Sequence, residues 1–377
     1  MRLLLLIIAQ AIPWYLFPGA APKDTSKAPK AKEPVETVVS MEEPDTLIRR
    51  TGIPEVLEMT FALPMGNPGN VDFYCGALLA ARELGNDGLK INISAYDLSK
   101  CEVTEGMLER SDVFIGPIDC QDIRKATAVC PRDRMIISPL DPKASALTET
   151  CNVIQTPVNT DEHLRDLTDW AVEGMNYNDK LVVVLETEAD TSGVILDELD
   201  YLGISYYITY GYMSVASACA PTGRTIFLTG SDKEYFVSGV IRCVSVLALQ
   251  QHDVSVFCPS KARSYDNLNV ELMHNANVHM SSTYFIDYDS PAVKSFVYAY
   301  RAVFKAEPNS YSFHGYDTMK YFANLLSIYG YEWPEMITEY PWTGLQTGFK
   351  FKKRGKGAEN CASRRIVYSP DYSITVQ

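Results

Sequence analysis

The stretch VFIGPIDCQDI, Val113 to Ile123, decides how the rest of the chain is read. Its opening Val-Phe-Ile has no polar alternation, the pattern of a strand covered on both faces. It breaks at Gly116-Pro117, exposes Asp119 and Cys120, and gives way to a helical pattern. The form recurs in MIISPLDPKA, Met135 to Ala144. In open parallel sheets, ligands sit outside the carboxyl ends of the strands, where the following helices offer unpaired N–H groups. Asp119, Cys120 and Gln121 after the first strand, and Leu140, Asp141 and the residues to Lys143 after the second, would line such a rim. Pro117, Pro139 and Pro142 stiffen the exits and stop the strands from extending. Tidy strand termination is the simpler reading of any one of these residues; the repetition favours a rim.

Outward from this stretch the chain alternates. VLEMTFALPM reads as a strand, followed by a break rich in glycine and asparagine that contains Asn67, and then by the helix VDFYCGALLAARELG. LKINISAYD is a strand and NVIQTPVN another extended piece; DEHLRDLTDWAVEGM is a helix with Asp161 and Glu162 favourably placed in its first turn. LVVVLETE, TIFLTGS and VSVFCPS are continuous apolar strands separated by VILDELDYLG and EYFVSGVIRCVSVLALQQ. Strand and helix in alternation, with strands apolar throughout, indicate parallel sheets covered on both faces and right-handed crossovers. Such units over most of the 377 residues exceed what one sheet organises, so two lobes are expected. PAVKSFVYAYRAVFKAEPNSYSFHGYDTMKYFANLLSIYG reads as two helices, and the tail, GFKFKKRGKG followed by RRIVYSPDYSITV, as a β-hairpin with a glycine-rich turn.

Composition narrows the class. The chain is 46% hydrophobic and 21% charged, with a formal net charge of -13. That is a folded protein's composition, and its acidity argues against nucleic acid as the partner, which requires concentrated Lys and Arg. MRLLLLIIAQAIPWYLFPGA, residues 1–20, reads as a signal peptide or short anchor. Residues 21–50, rich in Lys, Glu and Pro, read as a solvated spacer. Localisation in the periplasm or cell envelope follows as an expectation. Nine cysteines fit an oxidising compartment. Cys101 with Cys120 is the favoured disulfide, both falling in loops beside neighbouring strands; Cys130 with Cys151 is a second candidate, and Cys75 reads as a buried small hydrophobe.

There is no G-x-S-x-G elbow, no phosphate-binding G-x-x-x-x-G-K-[ST] loop and no dinucleotide fingerprint. Of the five histidines only His274 and His279 are close, and that step puts them on different helix faces, against a metal site. No enzyme activity and no cofactor are expected. On the facing lobe, Glu186 and Thr187 end one strand and Thr229 and Ser231 another, as candidate contacts or as ordinary solvated loop residues. Tyr284, Tyr288 and Tyr316 are candidate aromatic contacts, with core packing as the plain alternative. His314 reads as a structural histidine, and Lys350 to Lys356 as a solvated basic hairpin face.

The order of these features, from FALPMG through VFIGPIDC, MIISPLDP, LVVVLET, IFLTGS and VSVFCPS to PNSYSFHGYDTMKYFANLL, resembles the type I periplasmic-binding-protein family. That family includes the leucine/isoleucine/valine-binding proteins of ABC transporters. The tail GLQTGFKFKKRGKGAEN is similar to Bacteroidetes envelope versions, which often follow a LysM module. The resemblance implies an α/β fold of two Rossmann-like lobes with parallel sheets, joined by three hinge crossings near Thr156–Thr160, Val278–Phe285 and Tyr331–Thr343. Lobe 1 would comprise 51–157 plus 283–332, and lobe 2 158–282 plus 333–377. Gly315 to Leu326 is similar to the family's Tyr-Asp helix near the hinge, which makes Tyr316 and Asp317 site candidates. A Cys101–Cys120 bridge also lies near one in branched-chain amino-acid binders.

Those binders place Ser and Thr where this chain has Asp119-Cys120-Gln121 and Leu140-Asp141-Pro142. Two rim carboxylates favour a cationic or hydroxyl-rich ligand over an amino acid. The implied function is solute binding or sensing of a small molecule by hinge closure, with an ABC permease as a possible partner. The alternative is a cell-envelope interaction protein that kept the fold and lost small-ligand binding, with a cell-wall or protein partner.

Overall fold

The structure, a computed structural model, describes residues 50–190 and 193–377. The leader, and all of the spacer but Arg50, lie outside the described residues. In chain order the first half runs β1 (Leu57–Leu63), α1 (Pro68–Asn86), β2 (Ile91–Asp97), β3 (Val113–Ile115), α2 (Cys120–Ala128), β4 (Ile136–Ser138) and β5 (Val153–Gln155). There follow α3 (Thr160–Val172), β6 (Lys180–Leu185), α4 (Val194–Leu202), β7 (Tyr207–Tyr210), β8 (Thr225–Leu228), α5 (Glu234–Leu249), β9 (Val254–Phe257) and β10 (Val278–Ser282). Helices α6 (Pro291–Phe304) and α7 (Ser310–Tyr329) lead into short strands β11 (Trp342–Thr343) and β12 (Gly348–Phe349). The chain closes with β13 (Phe351–Arg354), β14 (Gly357–Asn360), β15 (Arg364–Tyr368) and β16 (Ile374–Val376).

Two seven-stranded sheets result, in the orders β13-β14-β5-β4-β3-β1-β2 and β16-β15-β10-β9-β8-β6-β7. Most neighbours are parallel; β13 against β14, β15 against β10 and β16 against β15 are antiparallel. The apolar strands behave as their sequences require: β3, β4, β8 and β9 are buried along their whole length. Side chains such as Phe61, Phe73, Phe114 and Phe227 are fully buried, each worth about 1.5–3 kcal/mol of transfer free energy. Gly116 answers for the small residue at the strand exit. Its φ is +107° and a Cβ there would stand 2.0 Å from the Ala62 carbonyl oxygen, so only glycine lets the chain leave the sheet at that point. Helices α1 and α7 cross backbone to backbone: a Cβ on Gly76 would lie 1.8 Å from the Ser312 oxygen.

The third crossing differs from the expectation. Strands β13 and β14 join the first sheet, β14 pairing in parallel with β5, so residues 333–360 stay with lobe 1 and the chain passes over between Asn360 and Arg364. Strand β14 is Gly-Ala-Glu-Asn, with no apolar run to announce it, and its polar side chains are buried because each finds partners, Glu359 in Thr148 and Arg354 and Asn360 in the hinge. The tail is therefore two hairpins, β13–β14 in one sheet and β15–β16 in the other, instead of one. The basic hairpin is not simply solvated. Lys352 and Arg354 both pair with Glu162 at the start of α3, tying the two lobes beside the hinge.

The expected disulfides are not formed. All nine cysteines are free thiols; Cys101 Sγ donates to the Asp97 carbonyl and Cys120 Sγ to that of Lys143, while Cys130 Sγ lies against the Pro131 and Arg134 carbonyls. Cys75 is buried in the core, where burial pushes its thiol up to about 12.

Candidate functional site

Topology alone orients the lobes' rims. The crossings leave the carboxyl ends of β5, β10 and β14, and β15 begins beside the carboxyl end of β10, where Ser282 pairs with Arg364. All three connections thus join the carboxyl ends of the two parallel sheets, and those ends are turned toward one another.

The hinge is organised by three buried polar side chains. Asn360 is fully buried and donates to the carbonyls of Thr156 (2.9 Å) and Gly348 (2.8 Å) while accepting from the N–H groups of Lys350 (2.9 Å) and Ala362 (3.0 Å). It thereby links the first crossing, the third crossing and the β12–β13 segment. Asp317, also fully buried, accepts from the N–H groups of Leu345, Gln346 and Thr347 at 2.8, 2.8 and 2.9 Å. Burial pushes its carboxyl up to about 6 against the pull of those three donors and of Arg364. The strand it fixes in turn carries the second crossing, through Phe285 N–H to the Gln346 carbonyl (3.1 Å) and a bridge between Tyr284 and Thr347. His314 joins Thr347 Oγ1 (3.2 Å) to the Pro139 carbonyl (2.7 Å), and burial holds it down to about 4, neutral.

On the rim of lobe 1 the acids have structural partners. Asn67 caps α1 through Gly69 N–H (2.9 Å), and Asp119 caps α2 through Gln121 N–H (2.8 Å). Asp141 accepts from Lys143 N–H (2.9 Å) with one oxygen and from Cys120 N–H (3.2 Å) with the other, clamping the two strand-exit loops together. Such charge-assisted caps are strong bonds, and they fix where the Asp119 and Asp141 carboxylates stand on the rim. Leu140 packs against the core, while Gln121 is exposed.

On lobe 2, Glu186, Thr229 and Ser231 come together around a cavity of about 190 Å³ also lined by Leu164, Leu185 and Asp190. Glu186 accepts from Ser231 (2.6 Å), Lys233 (2.7 Å) and Tyr235 (2.9 Å). Partial burial works against its ionisation, but these donors outweigh it and hold the carboxyl below its usual range. Thr187 bonds Asp190 through its N–H (3.0 Å) and hydroxyl (3.3 Å). Tyr284 is exposed beside the hinge.

Tyr316 and Asp317 are both buried. Asp317 has no free acceptor toward solvent, and the Tyr316 hydroxyl donates to Glu83. Tyr316 instead borders a groove of about 1320 Å³ beside the hinge, between α1, α6, Trp342, Arg364 and β16. A residue that the sequence reading passed over stands on the rim in its place. The ring of Tyr311, in the first turn of α7, lies 3.1–3.2 Å from where a Cβ of Gly69 would sit, directly over the start of α1, and is 44% exposed. Its position after the helix-capping Asn309 was the available signal. Among the described residues no three His, Cys, Asp or Glu side chains stand close enough to hold a metal ion, and no helix is long and apolar enough to cross a membrane.

No protein-family model matches the sequence, and no curated protein matches it. Solved structures do. A protein of Rhodospirillum rubrum described as a branched-chain amino acid ABC transporter superposes with a TM-score of 0.59 at 12% identity, over 85% of this chain and 100% of the other. Haemophilus influenzae LpoA superposes at 0.57 and 13% identity, over 86% of this chain and 59% of LpoA. The C-domain of that LpoA, a regulator of PBP1A, gives 0.52 at 13% identity, over 85% of this chain and 99% of the domain. At such identities the likeness carries architecture alone. Taken with the paired α/β sheets and the carboxyl-end crossings, it is sufficient for one conclusion: the chain has the fold of the type I periplasmic binding proteins.

Proposed function

We propose that this protein is an exported solute-binding or ligand-sensing protein that takes a small molecule between its lobes and closes on it about the hinge. The observation that carries this reading is that every crossing joins the carboxyl ends of the parallel strands, so both rims face one space. A ligand touching both rims favours the closed state by its differential affinity; driving a 1:99 equilibrium to 99:1 takes about 5.5 kcal/mol. Tyr311 and Gln121 on one lobe, Thr187 and Ser231 on the other, and Tyr284 at the hinge are the groups to meet it. With Asp141 and Glu186 already bonded, an uncharged hydroxyl- or amide-bearing ligand with a flat or apolar body fits these groups better than a cation.

The test is a thermal-shift screen of polar metabolites followed by small-angle scattering with each hit. A hit should contract the particle, and Tyr311→Ala should weaken it about tenfold, in line with loss of one aromatic contact. Hits that leave the scattering profile unchanged would sink hinge closure.

The second reading is an envelope interaction protein, with a cell-wall or protein partner in place of an ABC permease. The internally bonded rim carboxylates favour it, and so does the likeness to LpoA. A partner recovered from envelope extract by the full chain, in the absence of any metabolite shift, would select it.

A further inference from the structure

We propose that the free edge of the second sheet, strand β7, is a self-association surface on which a second copy of this chain adds antiparallel to form one continuous sheet. The two sheets have four edge strands, β13, β2, β16 and β7. Exposed edges offer unpaired N–H and C=O groups, and folded proteins protect them with charge, proline, bulges or short length. Strand β13 reads Phe-Lys-Lys-Arg, β16 is three residues long, and β2 carries Asn92 and Asp97. Strand β7 is also short, at four residues, but it carries no charge, no proline and no bulge. From Ile204 to Met213 the sequence ISYYITYGYM contains no charged residue and no proline, in a chain with a net charge of -13. It is also where large apolar side chains are left in water: Tyr207 is 62% exposed, Ile208 39%, Tyr210 36% and Met213 78%.

Charge and register both select a second copy as the occupant. Two molecules of net charge -13 repel over most approaches, and an uncharged strip is where that repulsion is least. Two charges beside the strip are already engaged: Lys180 lies 4.5 Å over the Tyr207 ring, and Asp200 accepts from the Tyr206 hydroxyl at 3.0 Å. A two-fold axis perpendicular to the sheet keeps each sheet face continuous, so every residue must meet one of the same parity. Centred on Ile208, this pairs Ile208 with its own copy, Tyr207 with Thr209 and Tyr206 with Tyr210. These are β-branched and aromatic cross-strand pairs, each favourable. Centring on Thr209 would leave Tyr207 opposite Gly211, with no side chain to meet.

The experiment places the photo-crosslinking residue p-benzoylphenylalanine at Tyr207 of the full chain in expressing cells, alongside sedimentation velocity of the purified full chain. The expected results are a crosslinked band of twice the chain mass, and a dimer that persists in 0.5 M salt, about the regime where charge contacts are screened. Ile208→Lys, which sets two ammonium groups opposite each other, should raise the dimer dissociation constant by about tenfold or more. Asn92→Lys on β2, an edge of the other sheet, should not. The crosslink reads out on an otherwise unaltered edge, so it decides the matter even if the lysine variant fails to fold. A monomeric full chain, a crosslink to a different protein, or a dimer indifferent to Ile208→Lys in a folded variant would each overturn the proposal.

Discussion

Replacing Asp317 with alanine tests the organisation of the hinge. In the folded chain its carboxylate is the acceptor for three N–H groups, those of Leu345, Gln346 and Thr347, and it is fully buried. Each N–H left without an acceptor costs about 1–3 kcal/mol. Against this stands the cost of holding the carboxyl buried: with its pKa pushed up to about 6 from 3.8, ionisation at neutral pH costs roughly 3 kcal/mol that alanine does not incur. The expected net loss at pH 7 is therefore about 2–4 kcal/mol. The pH dependence has a definite sign. A folded-state pKa raised above the unfolded value contributes stability that is fully present below the unfolded pKa and is lost as pH rises through the folded one. The gap between the parent and Asp317→Ala should therefore widen by about 2 kcal/mol between pH 7 and pH 4.5. Urea titrations followed by tryptophan fluorescence at both pH values would measure it, with m unchanged. A gap under about 0.5 kcal/mol at pH 7, or one that narrows in acid, would refute the reasoning.

Asn360→Ala removes four hydrogen bonds at a fully buried site and should cost about 3–5 kcal/mol, read as a lowered urea midpoint. Gly76→Ala drives a methyl into the Ser312 carbonyl at the α1–α7 crossing; a loss of about 3 kcal/mol or more, or insoluble protein, is expected. Glu162→Gln weakens the link from α3 to Lys352 and Arg354. Because those side chains are partly exposed, about 1–2 kcal/mol is expected. The hydrogen bond and charge of Lys352 lead the groups that outweigh burial and hold the Glu162 carboxyl below 4.5, so its contribution should be lost as pH falls through the lowered pKa. A change in melting temperature with pH that is the same in Glu162→Gln as in the parent would count against that.

How far the site was legible depends on what each residue does. Asp119, Gln121, Glu186, Thr229 and Ser231 follow apolar strands closely, and a strand's end dictates what stands at the rim. Nothing local tells whether a rim carboxylate is free or caps its own helix. Asp141 could be assigned only once Cys120 N–H, twenty-one residues away, was seen to donate to it. Tyr311 was missed because its neighbours read as a helix start, and only the crossing of α7 over α1 brings its ring onto Gly69.

By itself the sequence determined the α/β class, the two sheets and the exits at Gly116 and Pro139, because apolar periodicity and chain-breaking residues act locally and leave their mark in consecutive positions. Tertiary structure alone decided where the chain crosses for the third time, that β14 is an interior strand of the first sheet and that Asp317 and Asn360 hold the hinge. These outcomes rest on hydrogen bonds between residues 10 to 204 positions apart, and a buried polar side chain is stable only where such distant partners arrive together.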